Sequence, residues 1–191
     1  MHDPFKRLRL HIEQTVALTD EEFEGICTHF TFKKFKKHQF LIQEDEAVKY
    51  CYFIVSGLLK LVFTEKSAKQ HIVSFAMDNW WESDFQAYFT KSKATLSLEC
   101  IEPTEVLCLS IDHYEKLCAS QPKVEHFILK MAHFGNIASQ QRIISLLTSS
   151  AEERYAQWIK MYPQLVNRIP KTLLAAYLGV SRETLSRIVN F

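Results

Sequence analysis

Apolar positions along the chain change their period three times. Between Pro4 and Gln14, Phe5, Leu8 and Ile12 recur at helical spacing, which predicts a short amphipathic helix. A second helix is predicted from Thr19 to about His29, because Thr19 and Glu22 form a T-x-x-E capping box. From Phe30 to Ser110 the pattern changes to strands. FTFKKFKKHQFLIQ, YCYFIVSG, LLKLVF, QHIVSFAM, TLSLECI and EVLCLS are brief runs rich in β-branched and aromatic residues, separated by polar or turn residues. Alternation is present in them but not clean. Short strands at about ten-residue spacing predict an antiparallel barrel or sandwich, with a turn at Gly57. After Ser110 the helical period returns, first in Ile111–Ala119 and then in a long segment at about Lys123–Leu147. There Phe127, Met131, Phe134 and Ala138 follow the 4, 3, 4 spacing of a coiled coil. One face of that helix is expected to pack on the β-domain, and the segment is a natural dimer axis.

The last forty residues carry two further signals. Ser150 and Glu153 form another capping box, and Tyr155, Trp158, Ile159 and Tyr162 make the inner face of a helix that Pro163 ends. Pro170 then opens a pair of short helices in IPKTLLAAYLGVSRETLSRIVNF. Leu173, Leu174 and Leu178 give the first helix its apolar face. Gly179 stands where the chain must turn sharply, which glycine does without a Cβ clash. Ser181 is a good N-cap for the second helix. In that helix Leu185, Ile188 and Val189 fall on one side, and Glu183, Ser186, Arg187 and Asn190 on the other. Ala175 is small enough to let the two helices cross closely, with Leu185 and Ile188 plugging the gap. This is a helix-turn-helix with a polar reading face, the arrangement that inserts its second helix into the major groove of DNA.

Composition agrees with a soluble globular chain of 191 residues, 47% hydrophobic and 24% charged. No apolar run approaches the ~20 residues of a membrane span, and the N-terminus lacks a secretory h-region, so a cytoplasmic location is expected. The net charge of +1 hides an asymmetry: from Ser150 onward six Lys/Arg stand against three acids. The basic excess lies with the candidate reader, where phosphate contact requires it. Lys33, Lys34, Lys36 and Lys37, interleaved with Phe32 and Phe35, are read as a solvated strand face rather than a nucleic-acid patch. The five cysteines are widely spaced with no C-x-x-C pair, which favours small buried hydrophobes over a disulfide framework or a zinc site.

The order of parts, a β-rich domain, a long helix and a helix-turn-helix, resembles the Crp/Fnr family of bacterial transcription regulators. The likeness is strongest in LGVSRETLSRI (Leu178–Ile188), and extends to YCYFIVSGLLKLVF (Tyr50–Phe63) and QQRIISLLTSSAEERYAQWI (Gln140–Ile159). It implies an α+β fold: an antiparallel jelly roll of the cyclic-nucleotide-binding type with N-terminal helices over residues 1–120, a dimerisation helix over 121–149, and a helix-turn-helix domain over 150–191. The sequence stops at Phe191, before the β-hairpin wing that the resemblance implies, so a truncated winged domain is expected. By position, Arg182, Glu183 and Arg187 match the family's base-contacting triplet. Arginine can donate two bonds to guanine and glutamate can accept from cytosine. Ser181, Thr184, Ser186, Lys171 and Asn190 complete the expected DNA contacts, with Ser181 and Thr184 better suited to phosphates. The implied partners are double-stranded DNA, a second copy of the chain and, as a further candidate, RNA polymerase, with no membrane partner.

The effector stretch WWESDFQAYFTKSKATLSL (Trp80–Leu98) departs from the family pattern. Ser83 and Asp84 stand where a Gly-Glu pair would hold a ribose, and Ser92 stands where an arginine would hold the cyclic phosphate. Lys93 is near, but lysine lacks the planar fork, and Asp84 would repel phosphate. Cyclic AMP is therefore disfavoured. Trp80, Trp81, Phe85 and Thr95 belong to the same candidate pocket, together with Tyr88 and Phe89. Those aromatics either line a site for another small molecule or fill the emptied pocket as core. Clustered cysteines for an iron–sulfur sensor are lacking near the N-terminus, and His71, His113 and His126 are scattered. An enzyme is disfavoured, since no nucleophile elbow, P-loop, H-E-x-x-H or GxGxxG occurs. A sensor module with weak or lost DNA binding remains the alternative.

Overall fold

The computed structural model describes residues 3–189. Two antiparallel four-stranded sheets form the centre. One has the order β1 (Phe30–Phe35), β8 (Thr104–Ser110), β3 (Tyr50–Ser56), β6 (Trp81–Glu82). The other has β2 (Phe40–Ile42), β7 (Ser97–Cys100), β4 (Leu58–Thr64), β5 (Gln70–Met77). The run Phe30–Gln43 is thus two strands in different sheets, parted by a turn at Lys37 and His38.

Strand periodicity is blurred because these sheets are covered on both sides. In β3, Tyr52 and Ile54 face the other sheet, while Cys51, Phe53 and Val55 face helices. In β4, Leu59 and Leu61 face inward, while Leu58 and Val62 face the C-terminal helices. A strand buried on both faces reads as a continuous apolar run. The outer helices are α1 (Pro4–Glu13), α2 (Asp20–Cys27), α4 (Ile111–Ser120) and the start of α5 (Pro122–Thr148). The Thr19 and Ser150 capping boxes are both closed, each hydroxyl accepting from the third amide and each glutamate accepting from the cap amide. The five thiols are free, and burial pushes Cys51 up to about 12 and Cys108 up to about 11.

The 4, 3, 4 seam of α5 is divided. Phe127 is 1% exposed and packs on the helix-facing sheet with Met131 beside it, whereas Phe134 is 54% exposed and Ala138 is also exposed. The division follows from packing: Phe127 and Met131 belong to the cluster on the first sheet, and the apolar residues of α5 beyond them do not. Beyond that point Ile137, Ile143, Ile144, Leu146 and Leu147 are exposed as well.

The second sheet's outer face carries the C-terminal helices α6 (Ala151–Met161), α7 (Lys171–Leu178) and α8 (Arg182–Val189). Ile72, Phe75 and Ile101 pack with Trp158, Leu165, Leu174 and Leu178 in one cluster. Arg142 of α5 ties this junction, donating to the carbonyls of Ile72 and Tyr177 with its guanidinium 3.6 Å from the Tyr177 ring centre. Arg168 makes a second tie, to both Glu102 oxygens and to the Gly57 carbonyl. Gly57 lies at φ +118°, and a Cβ there would stand 2.4 Å from Thr104 Oγ1 and 2.8 Å from the Pro103 carbonyl. The turn therefore requires glycine.

Candidate nucleic-acid interface and effector region

Helix α7 ends as its sequence dictates. Gly179 takes the left-handed conformation at φ 71°, and the amides of Gly179 and Val180 bond back to Ala176 and Ala175. Ser181 then starts α8, its hydroxyl accepting from the Thr184 amide at 3.1 Å. Leu185 is fully buried, and Ala175 is 2% exposed in the same cluster. Val180 and Val189 pack against that cluster, whereas Ile188 lines a cleft of about 380 Å³ with Glu152, Thr184 and Arg187. The plug between the helices is thus Leu185 with Val189, not Leu185 with Ile188, because α8 is rotated to turn Ile188 toward α6.

That rotation leaves Arg182, Glu183 and Arg187 exposed, with Ser186 half-buried. Neither arginine makes an ion pair among the described residues. The Glu183 carboxyl is held below the usual carboxylate range, first by its own amide and Ser181, then by Arg182 and Arg187, so it is ionised at neutral pH. Ser181 and Thr184 hydroxyls lie 3.1 Å apart and are engaged with each other. Lys171 is exposed at the start of α7. Asn190 lies outside the described residues.

The effector stretch is arranged quite differently. Asp84 is 1% exposed and caps a short helix, α3 (Phe85–Thr90), which the sequence pattern does not announce. One carboxylate oxygen accepts from the Ala87 amide at 3.1 Å. The other accepts from the Thr95 amide at 2.8 Å, the Thr95 hydroxyl at 3.1 Å and the Leu96 amide at 3.1 Å. Ser83 donates to the Tyr50 carbonyl. Asp84 and Thr95 meet directly, but the aromatics do not share one lining. Trp80 sits against Tyr162 of the C-terminal part, Trp81 packs with Phe30, Phe53 and Phe127, and Phe85 is exposed and stacked on Phe89. Adjacent strand positions face opposite ways, which is why Trp80 and Trp81 separate. Ser92 and Lys93 are exposed.

Two charged features escape the sequence pattern. Glu82 is buried with oxygens accepting from Ser74 Oγ at 2.6 Å and the Ser83 amide at 3.1 Å, and burial pushes its carboxyl up to about 7. Lys60, 8% exposed, pairs across strands with Glu99 at 2.9 Å, and Glu99 also holds His38 at 3.2 Å. A lysine interrupting the apolar run LLKLVF was the available signal for the second.

A β-roll joined through a long helix to a helix-turn-helix defines the architecture of the chain. Residues 32–121 match the family described as cyclic nucleotide-binding domain. The regulatory protein HlyX of Actinobacillus pleuropneumoniae is 25% identical over 170 residues, covering 83% of this chain and 70% of that protein. FixK2 of Bradyrhizobium japonicum superposes with a TM-score of 0.73 at 20% identity, over 84% of this chain and 83% of that one. The c-di-GMP responsive global regulator CLP of Xanthomonas campestris gives 0.74 at 12% identity, over 90% of each chain. Residues 32–121 thus match a cyclic nucleotide-binding domain, and the sequence and structural neighbours of the chain are Crp/Fnr-type regulators. Among the described residues no helix is long and apolar enough to cross a membrane.

Proposed function

We propose that the protein is a sequence-specific DNA-binding regulator that acts as a homodimer on an inverted repeat, with a β-roll that does not take cyclic AMP. The observation that carries the first part is the outward set of Arg182, Glu183 and Arg187 above a fully buried Leu185. Two arginines and an ionised carboxylate held on one rigid helix face suit guanine and cytosine edges in the major groove. Dimerisation is supported by the exposed half of α5, where Ile137 and Ile144 stand one heptad apart and Leu147 is 79% exposed. Twofold symmetry then pairs two readers on half-sites about 34 Å apart. The function divides at the ends of α5: sensing in residues 1–120, pairing in 121–149, reading in 150–191.

Against cyclic AMP stands Asp84, whose carboxylate takes up the amides of Thr95 and Leu96 from within the chain. A phosphate would have to displace a buried anion that is already four times bonded. RNA polymerase is a further proposed partner of the DNA-bound dimer.

Selection of bound fragments from genomic DNA tests the reading. The wild-type chain is expected to recover an inverted repeat, and R182A/R187A to recover none. Recovery of the same repeat by the double variant would overturn the assignment. Recovery of no DNA by wild type, together with tight binding of a small molecule, would favour a sensor module that has lost its reader.

A further inference from the structure

Helix α6 begins beside α8, and its first turn is firmly held. The Ser150 hydroxyl accepts from the Glu153 amide at 3.2 Å, and the Glu153 carboxylate accepts from the Ser150 amide at 2.7 Å. Arg154 donates to the Leu178 carbonyl at the end of α7 at 3.1 Å, and to the Ser149 carbonyl at 2.6 Å. Glu152 stands exposed on this fixed turn. It lines the cleft of about 380 Å³ whose other residues, Thr184, Arg187 and Ile188, all come from α8. We infer that Glu152 is a positioning residue for Arg187: it holds the back of the guanidinium so that the front is aimed at one base pair of each half-site. The inference rests on the DNA-reading function proposed above.

The two arginines of α8 are not equivalent. Thr184, Arg187 and Ile188 stand at i, i+3 and i+4, so they share one side of the helix, and that side faces α6. Arg182 is exposed and takes no part in the cleft. A guanidinium carries five N–H donors in a rigid fork, and two of them suffice for guanine O6 and N7. The remaining donors point away from the base, toward whatever stands behind. A carboxylate fixed there matches the planar fork and narrows the orientations that the side chain must give up on binding. Without a cation to hold, a carboxylate at this place would only repel phosphate. An acid in the first turn also favours α6 itself, and that role acts on folding rather than on the choice of base.

The test measures binding of the full chain to the operator recovered by selection, and to copies of it with each base pair changed in turn. R187A identifies the base pair that Arg187 reads. E152Q keeps the shape of the side chain and removes its charge. It is expected to lower the preference at that same base pair by about threefold or more. Preferences at the other positions, including those lost in R182A, should stay as in wild type. In R187A/E152Q the second change should add nothing at the Arg187 position, because no guanidinium is left to hold. Thermal unfolding of E152Q, followed separately, reports its effect on α6. Equal weakening at every base pair would make Glu152 a support of α6 alone and overturn the proposal. Unchanged preferences in E152Q, or the same effect of E152Q with and without Arg187, would also overturn it. Each of these results leaves the DNA-reading function standing, whereas a wild-type chain that selects no operator brings down both.

Discussion

The segment Glu82–Leu96 and the helix Arg182–Val189 are both polar and both start from a side-chain N-cap, yet they treat their polar groups in opposite ways. In the first, Asp84 accepts four hydrogen bonds from its own chain and Glu82 accepts two. In the second, Ser181 and Thr184 are engaged locally, while Arg182, Glu183 and Arg187 are turned to solvent. A polar cluster that consumes its own donors and acceptors is a strut, since leaving a buried group unbonded is costly. A cluster that leaves them free on a rigid backbone is ready for a partner at little ordering cost. The contrast is what supports proposing the C-terminal helix, rather than the β-roll pocket, as the recognition site.

The contrast breaks most visibly at Asp84. Asp84→Ala strands two amides and a hydroxyl around Thr95–Leu96 and uncaps α3, and is expected to cost about 3–5 kcal/mol. Denaturant unfolding measures it, and a loss near zero would mean the carboxylate is not a strut.

Glu82 gives the next effect. Its folded-state carboxyl titrates near 7, above the ordinary glutamate value, so between about pH 4.5 and 7 the folded chain keeps a proton that the unfolded chain has released. This contribution is complete below that window and is lost as pH rises through it, by about 3 kcal/mol. The difference between wild-type and Glu82→Gln stability curves should show that slope and then flatten above pH 7. A difference independent of pH would place Glu82 in contact with water.

The smallest change concerns a single base pair. Arg187→Ala should relax preference at one position of each half-site by about 1–3 kcal/mol of discrimination, with folding unaffected because the side chain is exposed. Equal loss on all sequences would make Arg187 a backbone contact instead.

Much of this was legible along the chain because it is local. Two capping boxes, the Gly179 turn, the Ser181 cap and the period of α5 each depend on residues within one or two helical turns. The polar face of α8 was readable for the same reason: a helix of 3.6 residues per turn fixes which side chains share a side. The order of strands in two sheets, the division of α5 into covered and bare halves, and the separation of Trp80 from Trp81 were decided by tertiary packing. So were the rotation that puts Val189 rather than Ile188 beside Leu185, and the closing of Asp84 on Thr95. Each depends on a partner distant in sequence or on which neighbour reaches a face first, and short-range periodicity contains no record of either.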